Sequence, residues 1–75
     1  EEESIEQILS KAIDALPEKC REIFIKNKIE GKKQKEIAAE LNISINTVET
    51  QMGIAYKKLK TELKDYFPLF LFLLY

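Results

Sequence analysis

Apolar residues recur at steps of three and four along most of the chain, which is the period of an α-helix and not of a β-strand. The first such series predicts an amphipathic helix from about Ser4 to Ala15. Its apolar positions are Ile5, Ile8, Leu9, Ala12, Ile13 and Leu16. We therefore expect this helix to bury one side against the rest of the domain.

A second helix is predicted between Pro17 and Gly31. Proline suits the first position of a helix, and glycine is a common cap at its C-terminal end. The predicted buried face consists of Cys20, Ile23 and Phe24, with Asn27 as a further candidate. Ile25 points away from this face and is therefore a candidate for an apolar contact at the surface.

Two further helices, joined by a tight turn, are predicted within Gln34 to Leu59. The first is barely two turns long, and such a helix is not stable without a partner. Its buried stripe is Ile37, Ala38 and Leu41. The buried positions of the second are spaced by four, three, four and four residues: Val48, Met52, Ala55, Leu59 and Leu63. The two apolar stripes should pack against each other.

The turn between these helices has its own signals. Asn42 stands where the chain reverses, and asparagine accepts a left-handed backbone at less cost than most residues. Ile43 can fill the corner from inside, and the hydroxyl of Ser44 can accept hydrogen bonds from the next amides as an N-cap. A new helix should therefore begin near Ile45. Together these features predict a helix-turn-helix.

The exposed face of the second helix of this motif carries short or planar hydrogen-bonding groups. Side chains of this kind reach base edges when a helix N-terminus enters the DNA major groove. They are Asn46, Thr47, Glu49, Thr50 and Gln51. A polar helix face is more often simply solvated, so the pattern alone leaves both DNA binding and an ordinary helical bundle open.

At this point residues 12 to 64 resemble region 4, the C-terminal promoter-binding domain of the extracytoplasmic-function sigma factors of bacterial RNA polymerase. The matching elements are Leu16-Pro17 before a helix that contains Arg21, Gly31 before the helix-turn-helix, Lys35-Glu36-Ile37-Ala38 in its first helix, and Ser44-x-x-Thr47-Val48 at the start of the second. The resemblance implies promoter DNA and the β flap of the RNA polymerase core as partners, with Ile25 as a candidate flap contact. A complete sigma factor also needs a melting domain, so we expect the chain to be part of a longer protein.

Carried over residue by residue, the resemblance places phosphate contacts at Gln34 and Lys35, where helix N-terminal amides favour an anion. It places the promoter minus-35 element against the second helix of the motif. The whole predicted DNA-binding set is Gln34, Lys35, Ser44, Asn46, Thr47, Glu49, Thr50, Gln51, Ile54, Lys57 and Lys58.

The chain departs from the family pattern at several of these positions. Members often carry Arg or Lys where this chain has Glu49, Gln51 and Ile54, and a bulky residue in place of Gly53. A glutamate repels phosphate but can accept from a cytosine amino group, and a glutamine can pair with adenine. Lys33 stands where a capping serine is common, so that helix should depend on another cap. The preferred DNA sequence is therefore open.

The net charge of −1 hides a strong polarity along the chain. Residues 1 to 18 carry a balance of −5 and residues 19 to 35 one of +5, followed by −3 over 36 to 56 and +2 over 57 to 75. Apart from Lys11, the bases are Lys19, Arg21, Lys26, Lys28, Lys32, Lys33 and Lys35, up to the entrance of the motif, and Lys57, Lys58, Lys60 and Lys64, which follow the reading positions. Lysines on both sides of a reading surface suit a protein that is positioned by phosphates. The alternative is that many of them only solubilise the surface.

The amino-acid composition argues against several classes of protein and of binding site. The chain has no histidine and a single cysteine, which leaves no internal disulfide and no zinc or haem site, and Cys20 is predicted as a core thiol and not a redox sensor. We expect no cofactor and no enzyme, because the sequence lacks a nucleophile with a base at hand and a glycine-rich phosphate loop. No apolar run approaches the ~20 residues of a membrane span, so we expect no membrane insertion and a cytoplasmic location.

A tail of apolar residues follows the predicted domain, which we place at residues 1–67. From Pro68 to Tyr75 the tail, residues 68–75, has no charged side chain, and Pro68 should end or kink the last helix. An apolar segment of this size usually marks an interface. It could fold back on the first two helices, pair with a second copy as a homodimer, or dock on the polymerase or on an inhibitory anti-sigma factor.

These inferences predict an all-α fold, a small four-helix domain without a wing that contains a C-terminal helix-turn-helix. The leading functional interpretation is minus-35 recognition by a sigma factor that directs RNA polymerase to initiate transcription. The alternatives are a stand-alone helix-turn-helix regulator of the response-regulator output type and a protein-interaction bundle. The Leu16-Pro17 start and the long lysine-rich final helix favour the first.

Overall fold

The structure is a computed structural model that describes residues 3–66. Four α-helices follow one another: α1 is Ile5–Asp14, α2 is Glu18–Phe24, α3 is Gln34–Leu41 and α4 is Ile45–Glu62. A π-helical turn, Ile25–Ile29, continues α2, and a 3-10 turn, Lys64–Tyr66, follows α4. No strand occurs among the described residues, which confirms the predicted all-α, four-helix class. The predicted tail at 68–75 lies outside the described residues.

Helix α1 begins at a complete capping box. The Ser4 hydroxyl accepts from the Gln7 amide at 3.1 Å, and the Gln7 side chain accepts from the Ser4 amide at 2.9 Å. Ala12 on this helix and Leu16 just after it are buried, as predicted. Ile5 is different, because its side chain is 58 % exposed and does not pack against the core of residues 3–66. The prediction that Ile5 lies on the buried face is therefore wrong, since the first turn of α1 has no apolar neighbour there.

The α1–α2 junction is held by Arg21. Its guanidinium donates to the carbonyl oxygens of Asp14 at 3.0 Å and Leu16 at 3.4 Å, which have no helical partner at the end of α1. Pro17 precedes α2 with φ −56° and ψ 150°, so it is the N-cap and not the first helical residue as predicted. Its ring fixes φ in a range that both positions share, and the extended ψ places it outside the helix.

The π-helical turn was not predicted from the sequence. The Glu30 amide donates to the Ile25 carbonyl at 3.0 Å, five residues back, so the turn is one residue wider than in an α-helix. Gly31 then takes φ +75°, a left-handed conformation that glycine adopts without steric cost, as its predicted capping role requires. The half-buried Asn27 donates to the Lys32 carbonyl at 2.8 Å and so closes the turn.

The core of the described residues is wholly apolar. All five predicted positions of the last helix series are buried, and so is the predicted trio of α2. The full set is Ala12, Leu16, Cys20, Ile23, Phe24, Ile37, Ala38, Val48, Met52, Ala55, Leu59 and Leu63. Phe24 meets the ring of Tyr56 edge-on, with centroids 6.2 Å apart. Because α2 and α4 contribute most of these residues, they form the centre of the domain.

Helix α4 ends earlier than predicted. Its last residue is Glu62, and Leu63 leaves the helix with φ −104° and ψ 19°. The expectation that Pro68 ends or kinks this helix is therefore wrong, because the helix has already ended. Leu63 is 1 % exposed, and the chain turns where its side chain enters the core.

Helix α3 is tied to the π-helical turn by two ion pairs that share one carboxylate. Glu40 accepts from Lys26, and also from Lys32 at 2.7 Å. These hydrogen bonds lower the pKa of Glu40 to about 2. The hydrogen bond that Lys26 donates to Glu40 likewise raises the pKa of Lys26. The carboxylate thus remains charged well below the usual range for glutamate.

The lowered pKa of Glu40 predicts a pH-dependent contribution to stability. The contribution is present above the ordinary value of 4.5 and is lost as the pH falls toward about 2. Glu40→Gln should therefore be less stable than the parent chain at neutral pH, and the difference should shrink in acid. Urea unfolding curves recorded across this pH range measure it. Glu49→Gln, an exposed glutamate without an ion pair among residues 3–66, is the matched control. An equal difference at all pH values would contradict the prediction.

Candidate nucleic-acid interface

Helices α3 and α4 form the predicted helix-turn-helix and cross on small and branched side chains. Ile37 and Val48 are fully buried between them, and Ala38 is 6 % exposed. A side chain no larger than a methyl group at Ala38 lets the two helices approach closely. The pair therefore behaves as one unit.

The turn between α3 and α4 has the predicted conformation. Asn42 is left-handed, with φ 57° and ψ 48°. Its amide donates to the Ala39 carbonyl at 3.3 Å, and the Ile43 amide donates to the Ala38 carbonyl at 2.9 Å. Ile43 is half-buried beneath the corner. The reversal thus satisfies the final carbonyls of α3 and sets the direction of α4.

Ser44 caps α4 as predicted. Its hydroxyl oxygen accepts from the Thr47 amide at 3.0 Å, and it also lies 2.9 Å from the Thr47 hydroxyl. Both residues belong to the predicted DNA-binding set. Because the two hydroxyls are partners of each other, the role of Ser44 in the free domain is to hold the first turn of α4.

Removing this cap should destabilise the domain. Ser44→Ala is expected to lower the free energy of unfolding by about 0.5–2 kcal/mol, since the Thr47 amide loses its acceptor. Chemical unfolding followed by far-UV circular dichroism measures the change. Ser10→Ala, an exposed serine in the middle of α1, is the control and should shift stability by less than about 0.5 kcal/mol. Equal effects of the two changes would show that the cap is unimportant.

The structure confirms that α3 depends on another cap, because Lys33 stands where the family commonly has a capping serine. A lysine ammonium cannot accept a hydrogen bond, so only the return half of a capping box forms, in which the Glu36 carboxylate accepts from the Lys33 amide at 2.8 Å. The sequence pattern did not identify Glu36 for this role. Next to it, Gln34 is half-buried and Lys35 is exposed. The first amides of α3 and the Lys35 ammonium thus lie together at one end of the motif.

The predicted reading residues occupy two parallel stripes of α4, each with steps of four, three and four. All members of the first stripe are exposed: Asn46, Thr50, Gly53 and Lys57. The second stripe is Thr47, Gln51, Ile54 and Lys58. Gln51 and Ile54 are half-buried, and Ile54 packs against the core. Glu49 is exposed on the other side of the first stripe. The predicted DNA-binding residues of α4 therefore form a curved surface, in which the first stripe is exposed and the second is partly buried.

Gly53 leaves space at the middle of the exposed stripe. A Cβ built at this position would have no heavy atom within 4 Å, apart from its own helix and chain neighbours. The packing of the described residues therefore does not require glycine here. Its effect is to leave the helix backbone uncovered between Thr50 and Lys57.

The bases divide into two groups. Lys26 and Lys32 pair with Glu40, Lys19 lies 3.5 Å from Glu22, and the Lys28 ammonium lies 5.6 Å from the centre of the Tyr56 ring. The second group is exposed and makes no ion pair within residues 3–66: Lys33, Lys35, Lys57, Lys58, Lys60 and Lys64. Much of the first basic block thus makes contacts within the domain, a role that neither the phosphate interpretation nor the solubilising alternative included. The second group flanks the motif.

Helix α2 lies directly behind the reading surface. The thiol of Cys20 donates to the carbonyl oxygen of Gln51 at 3.4 Å, and its side chain is 1 % exposed. Burial raises the pKa of this thiol, with a smaller opposing effect from the charge of Lys58. A protonated, covered thiol fits the predicted core role.

Two further observations concern other classes of site. Within residues 3–66 no group of His, Cys, Asp and Glu could hold a metal ion. No helix in the same range is long and apolar enough to cross a membrane.

Comparison with known proteins gives one finding. A family model described as "Sigma-70, region 4" matches residues 6–59, a span from the first turn of α1 to late in α4. No curated protein and no solved structure matches the chain. The matched range contains α2, α3 and the turn, and all but the first residue of α1 and the last three residues of α4. The chain therefore belongs to the sigma-70 region 4 family, the helix-turn-helix, DNA-binding part of the sigma factors that act in transcription initiation.

Proposed function

We propose that this domain recognises the minus-35 element of promoters as region 4 of an extracytoplasmic-function sigma factor, and that it directs RNA polymerase in the cytoplasm. The observation that carries the proposal is the exposed stripe of Asn46, Thr50 and Lys57 on the helix that follows the Ser44 cap. A capped helix N-terminus with a polar, unobstructed face is the shape that enters a major groove.

The distribution of free charge supports this assignment. Lys35 at the start of α3 and the lysines at 57 and 58 are exposed, and they make no ion pair within residues 3–66. They lie on either side of a central surface that includes Thr50. Phosphates contacted from both sides would fix the register, and the polar side chains between them would read the bases.

The assignment to a sigma factor is supported by the arrangement around the motif. Leu16 is buried and Pro17 caps α2, so this dipeptide sets the junction where Arg21 joins α1 to α2. Helix α4 runs for 18 residues and carries lysines in its second half. Both features favour a sigma factor over a stand-alone regulator of the response-regulator type.

A groove between α1 and the π-helical turn supports the proposed contact with the polymerase β flap. Ile25, the candidate contact, is half-buried and lines this groove together with Leu9, Ile13 and Ile29. The groove lies on the elements that brace the helix-turn-helix. The flap could therefore bind there while α4 engages DNA.

Salt-dependent promoter binding tests the assignment of Lys35 to phosphate. Lys35→Ala should weaken binding to all sites alike and reduce the slope of log affinity against log salt by about one, because one fewer counterion is released. The measurement is promoter binding by holoenzyme formed from bacterial core polymerase and a sigma factor that contains this domain. Promoter fragments retained by that holoenzyme, once sequenced, would also identify the site.

Lys19→Ala is the matched control for this experiment. Lys19 is an exposed lysine on α2 that lies 3.5 Å from Glu22 and is not in the predicted DNA-binding set. It should leave both affinity and salt slope unchanged. Loss of binding at only some promoters in Lys35→Ala, or the same loss in the control, would overturn the phosphate assignment.

A further inference from the structure

An open groove with an apolar lining lies between α1 and the π-helical turn. Its volume is about 440 Å³. Leu9, Ile13, Ile25 and Ile29 form its apolar surface, with Glu6, Ser10 and Asp14 at its rim. Ile29 is 62 % exposed, and Ile5, on the first turn of α1, is 58 % exposed. Contiguous apolar surface of this kind usually marks an interaction site.

The chain itself contains a segment of matching chemistry. Residues 68–75 include leucine, phenylalanine and tyrosine side chains and no charged one. They follow Tyr66, the last described residue. Tyr66 lines a smaller cavity along α1 together with Glu3, Ile8 and Lys11. The last described residue before the apolar segment thus lies beside α1.

The cavity beside Tyr66 and the apolar groove lie on different sides of α1. Ile8 and Lys11 face the side of Tyr66, whereas Leu9 and Ile13 face the groove, so the groove lies across the same helix. Helix α1 has ten residues, which makes it about 15 Å long and about 10–12 Å wide. Nine further residues can span up to about 30 Å. The segment is therefore long enough to pass the exposed Ile5 and enter the groove.

We infer that residues 68–75 fold back past the first turn of α1 and occupy the groove formed by Leu9, Ile13, Ile25 and Ile29 of the same chain. A segment joined by a short connection competes at an effective concentration in the mM range, far above that of a second copy in solution. The chain's own segment is therefore favoured over a homodimer. As a consequence that rests on the proposed function, the segment would have to leave the groove before a polymerase flap could bind.

A spin label near the chain end tests this docking without the polymerase. The label is attached to Tyr75→Cys in the full chain, where Cys20 is 1 % exposed and should not react. Methyl NMR spectra then report proximity. The signals of Ile25 and Ile29 should lose most of their intensity, and that of Ile45 should keep it. Ile45 is an exposed isoleucine on the first turn of α4, at the opposite end from the residues that line cavities with α1.

Two further samples distinguish the outcomes. Ile29→Glu should restore the Ile25 signal, whereas the matched exposed change Ile45→Glu should not. Isotope-labelled chain mixed with spin-labelled, unlabelled chain should show no loss. Signal loss in that mixture would assign the groove to a second copy, and no loss in any sample would leave it to another partner; either result would overturn the inference. Neither result bears on promoter recognition, so the proposed function is tested separately.

Discussion

Replacing Phe24 by alanine is expected to leave most of the chain unfolded at room temperature. Phe24 is fully buried between α2 and α4 and meets the Tyr56 ring edge-on at 6.2 Å. Truncating a buried phenylalanine costs about 3–5 kcal/mol through lost burial and the cavity that remains. A single core of this size rarely supplies more than about 3–5 kcal/mol of net stability. The loss is therefore as large as the whole free energy of unfolding.

Far-UV circular dichroism combined with chemical unfolding measures this effect. Tyr66→Ala is the control, because it removes an aromatic ring that is 44 % exposed and should change the free energy of unfolding far less. Phe24→Leu should fall between the two, since it keeps much of the buried volume. A cooperative unfolding transition of normal midpoint in Phe24→Ala would show that the α2–α4 contact is not the centre of stability.

Replacing Thr50 and Gln51 together by alanine should change which promoters the protein selects. Thr50 is on the fully exposed stripe of α4, and Gln51 is half-buried on the neighbouring one. A good side-chain contact to a base edge contributes about 1–3 kcal/mol of discrimination. Loss of both should therefore relax preference roughly tenfold or more at the contacted base pairs. Both changes keep the backbone carbonyl of residue 51, which accepts a hydrogen bond from the Cys20 thiol, so we expect the domain to remain folded.

The measurement is sequencing of the DNA retained from a random library by holoenzyme carrying the parent or the changed domain. Thr61→Ala is the matched control, an exposed threonine near the end of α4 whose hydroxyl bonds to the Lys57 carbonyl at 3.2 Å. It should retain the parent preference. An unchanged preference in the double variant, with binding intact, would assign base reading to a different face of α4.

The helix-turn-helix was predictable to the residue because its signals are local. The αL conformation of Asn42, the Ser44 cap and the start of α4 at Ile45 each depend on side chains within a few positions. The buried series of α4 was equally accessible, since a helix repeats its buried face at steps of three and four. Such features depend on residues that are close in the sequence, so they can be predicted without knowledge of the tertiary contacts.

The departures from prediction arise where distant elements meet. Ile5 carries the right spacing for burial, yet it lies outside the core of residues 3–66, and α4 ends at Glu62 although the helical spacing of buried residues continues to Leu63. Prediction from the sequence was limited in the same way at the candidate DNA-binding surface. Gln51 was predicted on the exposed face of α4, but it is half-buried, and its backbone carbonyl accepts from Cys20 of α2.

The order of the helices, the turn between α3 and α4, and the polar face of α4 can all be predicted from the sequence. The partners of the charged side chains and the positions of the helix ends depend on the folded arrangement. Arg21 donates to carbonyl oxygens at the end of α1, and Glu40 accepts from Lys26 and Lys32, so these three side chains are held by contacts within the domain. The physical reason is that hydrogen bonds and ion pairs depend on separation in space, which periodicity along the chain does not encode.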